Sequence, residues 1–135
     1  MKEGSLIFCD VLPIVNKVTG LYWSHVMIYL DGYFYEATPP VVRKISNMPH
    51  VKRSLVVEPK QPYTNEQIAR MLAYAEANLG RPYRVRGYLF PRRYGKTRGI
   101  YCSQFACDAL RAGGVALDFR AGYSPDTLYE AMINV

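Results

Sequence analysis

The dipeptide Asp31-Gly32 constrains this chain more than any other feature, because it separates two runs, residues 24–30 and 33–38, that are rich in β-branched and aromatic residues. A two-residue Asp-Gly connection between such runs is the signal of a tight antiparallel hairpin, and loop length then sets the register. With Asp31 and Gly32 as the loop, Leu30 pairs with Tyr33, Met27 lies opposite Glu36, and His25 lies opposite Thr38. Side chains alternate faces along a strand, so His25, Met27 and Tyr29 share a face with Phe34, Glu36 and Thr38. His25 and Glu36 become diagonal neighbours, roughly 7–8 Å apart at the backbone and within reach of an imidazole and a long carboxylate. A carboxylate bonded to one ring nitrogen fixes the tautomer and leaves the other nitrogen to accept a proton. Taken alone, the pair is also what an ordinary surface hairpin would carry, and another loop length would separate the two residues.

A second feature supplies the chemistry that such a base would serve. Cys102 stands in Tyr101-Cys102-Ser103-Gln104-Phe105-Ala106, where an aromatic approach turns into a helix. Cys102, Phe105, Ala106, Ala109, Leu110 and Gly113 recur at helical spacing, and Gly113-Gly114 stops the helix. A thiol in the first turn meets backbone N–H groups and the positive end of the helix dipole, which favour thiolate over thiol. The plain alternative is a buried cysteine acting as a small hydrophobe. A helix-start cysteine becomes a candidate nucleophile once a base is found for it.

The remaining elements read as a strand over residues 5–12, a short strand over 55–58, and a helix over 65–79. Thr64 is the N-cap of that helix, Gln67 completes a capping box, and Gly80 is the stop. A strand is expected over residues 115–119, and Ser124-Pro125 opens a last helix. Strands precede helices without strict alternation, so the predicted class is α+β, an antiparallel sheet packed against helices with the cysteine at a helix N-terminus.

The order Ser24-His25-Val26-Met27-Ile28-Tyr29-Leu30, then Glu36-Ala37, then Tyr101-Cys102-Ser103, resembles the permuted branch of the NlpC-type papain-like amidohydrolases, the YiiX-like proteins. In that branch the cysteine helix follows the histidine hairpin, reversing the order of ordinary papain-like enzymes. The opening Gly4-Ser5-Leu6-Ile7-Phe8 is similar to the family's first strand, and the likeness spans most of the chain. It implies a permuted papain-like fold with Cys102 as nucleophile, His25 as general base and then acid, and Glu36 orienting His25. Gly80-Arg81-Pro82-Tyr83 resembles the family's Gly-x-Pro-Tyr segment, which implies that Tyr83 lines the substrate cleft, although a tyrosine leaving a helix to pack on the core fits the same pattern. Ser5 stands where the family often has Asp, and Arg84 follows Tyr83 where an acid is common. A cleft that trades acids for arginine favours a more anionic ligand.

With 135 residues the chain is long enough for a single domain, residues 1–135, with a core that needs neither disulfide nor metal. Three cysteines cannot all pair, and Cys102 and Cys107 point in different directions on one helix, so a reduced compartment is expected. Cys9 reads as core, and two histidines without a paired-cysteine motif argue against zinc. No apolar run reaches the length of a membrane span, and the start lacks a signal-peptide apolar region. A cytoplasmic location is expected, with release or carriage in a virion as the route to any cell wall.

The net charge of +6 is local: seven of the 17 basic residues fall within residues 81–98, interleaved with Tyr83, Tyr88, Phe90 and Tyr94. Such a patch attracts anions. Arginine with aromatics also suits nucleic acid, but no nucleic-acid motif accompanies it, and a solvated basic loop fits the same composition; its place between Tyr83 and Cys102 suggests a cleft edge, where Arg92 and Arg93 are expected to steer an acidic peptide or an anionic wall polymer. Together with these residues, the resemblance implies a thiol hydrolase that cleaves an amide bond through a Cys-His-Glu triad and a thioester, without cofactor, on family substrates such as peptidoglycan stem peptides or similar short acidic peptides. Two alternatives stand beside it. One is a lipid acyl hydrolase or acyltransferase like the lecithin retinol acyltransferase group, which usually has histidine where this chain has Glu36. The other is a binding or assembly module that keeps the fold without turnover.

Overall fold

The computed structural model describes residues 1–10, 20, 22–49, 51, 53–83 and 100–134. Among them, β1 (Leu6–Cys9), β2 (His25–Leu30), β3 (Tyr33–Ala37), β4 (Val42–Ile45) and β5 (Ser54–Val57) form one antiparallel sheet in the order β4-β3-β2-β1-β5. Three α-helices follow, α1 (Asn65–Ala77), α2 (Cys102–Ala112) and α3 (Pro125–Ile133), with a 3₁₀ turn over Phe119–Tyr123 leading into α3. This is a small α+β fold.

The hairpin has the register its loop demands. Leu30 pairs with Tyr33, Tyr29 with Phe34 and Ile28 with Tyr35. Asp31 (φ 52°) and Gly32 (φ 80°) are both left-handed, as the mirror-image turn that matches strand twist requires. The Glu3 carboxylate accepts the Asp31 N–H at 2.9 and 3.0 Å, tying the turn to the chain ahead of β1.

Alternation then divides the sheet into two apolar faces. Leu6, Phe8, Val26, Ile28, Leu30, Tyr35 and Ala37 face the helices and join Met71, Ala75, Phe105, Ala109, Leu110 and Leu128 in the main core. Ile7, Cys9, Met27 and Phe34 form a smaller cluster on the other face, packed by Tyr29, Ile45, Met48 and Val51.

Helix α1 starts with the expected capping box: Gln67 N–H donates to Thr64 Oγ1 (3.1 Å) and Thr64 N–H to Gln67 Oε1 (2.9 Å). It ends at Ala77 with Asn78 as C-cap, slightly short of the expected residue 79, and the chain turns away through left-handed Gly80. Helix α2 buries Cys102, Ser103, Phe105, Ala106, Cys107, Ala109 and Leu110, and stops at Gly113. A Cβ on Gly113 would lie 2.6 Å from Met71 Cε, so α1 and α2 meet at a point where only glycine fits. Helix α3 begins with a Ser124/Thr127 capping box and Pro125 in its first turn.

Three elements differ from expectation. Residues 115–119 do not form a strand. Their backbone bonds are local, Val115 N–H to Leu110 O (3.1 Å) and Leu117 N–H to Val115 O (2.9 Å), and Asp118 caps the 3₁₀ turn by accepting from Arg120 N–H (3.0 Å). Val115 and Leu117 alternate inward as a strand would, but they do so to fill the core beside α2. Strand β4 was not expected, because Arg43 and Lys44 interrupt its apolar pattern, as suits an edge strand. The described part of the first strand is Leu6–Cys9, and residues 11 and 12 of the expected span lie outside the described residues.

Nothing lies within 4 Å of a Cβ built on Gly32, so Gly32→Ala costs only the left-handed backbone, about 1–2 kcal/mol. Urea denaturation is expected to show a lower midpoint with an unchanged m-value.

Candidate active site

Cys102 is the first residue of α2. Tyr101 holds the N-cap with extended backbone (φ −110°, ψ 169°) and makes no side-chain cap, so the helix start meets the thiol without a capping side chain between them. The site of developing negative charge is thus the positive end of the helix. Cys102 is fully buried and His25 is 5 % exposed.

His25 opens β2, at the end of the sheet, where its ring meets the Glu36 carboxylate and interacts electrostatically with Cys102. His25 Nε2 lies 2.5 Å from Glu36 Oε1. The diagonal relation set by the Asp31-Gly32 loop therefore ends in direct contact. With Nε2 engaged by the carboxylate, Nδ1 is the nitrogen left to exchange a proton with the thiol.

Glu36 is buried, and its second oxygen is also taken. Arg43 Nε and Nη2 both lie 2.8 Å from Oε2, and Arg43 is the register partner of Glu36 across β3 and β4. Sequence reasoning missed Arg43. The available signal was a Val-x-x-Ile run after Pro39-Pro40 that could have been read as a strand pairing with β3.

The electrostatics follow from burial and contact. Burial alone would pull the His25 imidazolium down, but its hydrogen bonds to Cys102 and Glu36 and their charges outweigh that and push it up to about 9. Burial would raise Glu36, yet the hydrogen bonds and charges of His25 and Arg43 hold it below its ordinary value. The pair therefore favours imidazolium and carboxylate at neutral pH, the state that stabilises an adjacent sulfur anion.

Tyr83 is half-buried against the core. Its N–H donates to Pro40 O (3.0 Å) and it bridges Ile100, which brings it beside the start of α2. Burial first, and then the charge of Cys102, push its phenol up, so it stands within electrostatic reach of the thiol. Cys9 is buried as expected, but its strand pairs it with His25. Burial and the nearby Cys102 and Glu36 push its thiol up to about 12. All three cysteines are free. Arg92 and Arg93 lie outside the described residues, as do Arg84, Arg86, Tyr88, Phe90, Tyr94, Lys96 and Arg98 of the same segment.

Among the described residues no cluster of three His, Cys, Asp or Glu could hold a metal ion, and no helix is long and apolar enough to cross a membrane. No protein-family model matches the chain, and no curated protein or solved structure does either.

The direction of each shift gives a pH dependence. Stability drawn from His25 is fully present below its ordinary 6.5 and is lost as pH rises through about 9. That drawn from Glu36 is present above its ordinary 4.5 and is lost as pH falls through its lowered value. Urea unfolding of wild type and His25→Ala is expected to show a stability difference that shrinks steadily between pH 6.5 and 9. A difference that is flat across that window contradicts the assignment.

Proposed function

We propose that this protein is a thiol hydrolase that cleaves an amide bond, with Cys102 as nucleophile, His25 as general base and acid, and Glu36 orienting His25, on a permuted papain-like scaffold of the NlpC type. The observation that carries the reading is His25, whose Nε2 lies 2.5 Å from Glu36 Oε1 and whose ring interacts electrostatically with Cys102 at the start of α2. A helix-start thiol, an imidazole and a buried carboxylate in series are the parts that acyl transfer to sulfur requires.

In the reaction the Cys102 thiolate attacks the carbonyl carbon, forming the C–S bond and a tetrahedral oxyanion. The Cys102 backbone N–H at the helix start is one donor for that oxyanion. The imidazolium of His25 gives its proton to the leaving nitrogen as the C–N bond breaks, which leaves a thioester. Neutral His25 then takes a proton from water as the water oxygen attacks, and collapse of the second intermediate breaks the C–S bond and releases the acid. Water is the only co-reactant, so no cofactor enters. Because Cys102 is fully covered, acylation requires an opening above it before substrate can reach the sulfur. Short peptides such as peptidoglycan stem peptides are the substrate class, and the excess of arginine near Tyr83 in the sequence favours acidic ones.

Iodoacetamide labelling of the native protein, read by mass spectrometry, tests the site. Cys102 is expected to label well ahead of Cys9 and Cys107, whose thiols burial pushes up to about 12. His25→Ala is expected to slow Cys102 labelling, and to reduce amine release from acidic peptides by about 10²–10⁴-fold. Labelling of Cys102 no faster than that of Cys107, or a rate indifferent to His25, overturns the proposal.

A further inference from the structure

The Glu36 carboxylate divides its oxygens between two partners. Oε1 faces His25 Nε2 at 2.5 Å, and Oε2 receives both Nε and Nη2 of Arg43 at 2.8 Å. The side chain of Glu36 is 3 % exposed and that of Arg43 is 52 % exposed, so the ion pair runs from the buried end of the site out to solvent. Two N–H groups of one rigid guanidinium aimed at one oxygen hold that oxygen in place and oppose its charge.

We infer that Arg43 is a positioning residue of this site, clamping the outer oxygen of Glu36 so that the inner oxygen stays aimed at His25. The inference rests on the reading of Cys102, His25 and Glu36 as one reacting unit. A buried carboxylate with one oxygen left unpaired is costly, and it relieves that cost by turning toward water or by taking up a proton. Either response removes the anion that holds the His25 imidazolium. The side-chain groups that bear on His25 are Cys102 from α2, Cys9 from β1, Glu36 from β3, and Arg43 from β4 through Glu36. Arg43 touches none of the reacting atoms; it acts through Glu36.

A merely electrostatic role and a positioning role predict opposite shifts. Deleting a nearby positive charge while Glu36 stays in place would raise the His25 midpoint. Losing the placement of Glu36 lowers it.

The test is an NMR titration of the His25 ring protons in full-length wild type, Arg43→Gln and Arg43→Lys, with His50, the other histidine of the sequence, as internal reference. Arg43→Gln is expected to lower the His25 midpoint by about one pH unit, and lysine, which keeps the charge but lacks the fork, to fall between Gln and wild type. The rate of Cys102 alkylation near pH 9, where that shift changes the imidazolium fraction, is expected to follow, down about fivefold in Arg43→Gln and partly recovered in Arg43→Lys. A His25 midpoint that stays or rises in Arg43→Gln overturns the inference. Should that variant fail to fold by circular dichroism, Arg43→Lys decides: a midpoint equal to wild type overturns the inference, and a lowered one supports it. The titration reads His25 without turnover, so an unreactive wild-type Cys102 would defeat the hydrolase proposal and still leave the role of Arg43 decided by the histidine.

Discussion

A carboxylate buried at the end of a sheet is the constraint around which this structure is arranged. Removing Glu36 from water costs several kcal/mol unless its charge and both oxygens are met inside the protein. His25 and Arg43 meet them from the two strands that flank β3. That solution demands a fixed register on both sides. A slip of one residue in either pairing would turn a partner to the opposite face and strand the charge. The mirror-image turn at Asp31-Gly32 and the Glu36/Arg43 pairing are therefore two halves of one requirement.

The helix that carries the thiol is fixed chiefly by a different kind of interaction, close packing. Helix α2 is buried along most of its length, and its approach to neighbours is set by missing side chains. Gly113 admits Met71 of α1, and a Cβ on Gly122 would lie 3.0 Å from Cys107 Cβ and from the Gln104 backbone. Ser103 adds a hydrogen bond, donating its hydroxyl to Gly122 O at 2.8 Å. The helix is thus held near its start by Gly122 and Ser103 and at its end by Gly113, which leaves little freedom in where its N-terminus meets His25. On the other side of the hairpin, the Asp126 carboxylate of α3 accepts the Tyr22 and Trp23 N–H groups at 2.7 and 2.8 Å and steadies the chain entering β2.

What could be read from sequence was whatever local chemistry dictated. The hairpin register was legible because a two-residue loop admits one pairing, and from it the His25/Glu36 contact followed. The starts of α1 and α3 were legible because Thr64 with Gln67 and Ser124 with Pro125 are self-contained signals. Arg43 was not, since a charged residue on an edge strand looks like any solvated arginine until its cross-strand partner is known. Residues 115–119 misled for a related reason: inward alternation of Val115 and Leu117 is shared by strands and by extended connections, and only the absence of a neighbouring ladder separates them. That Cys102 would touch His25 depends on the docking of α2 on the sheet, a long-range event that no local pattern encodes.

That long-range docking has a kinetic side. His25 and Glu36 come from neighbouring strands of one hairpin, whereas the Cys102 sulfur arrives from the far half of the chain and meets them only when α2 packs on the sheet. Contacts of such wide sequence separation form late, because loop closure must be completed before they return any free energy. Cys102 therefore joins His25 and Glu36 only once the native core has formed.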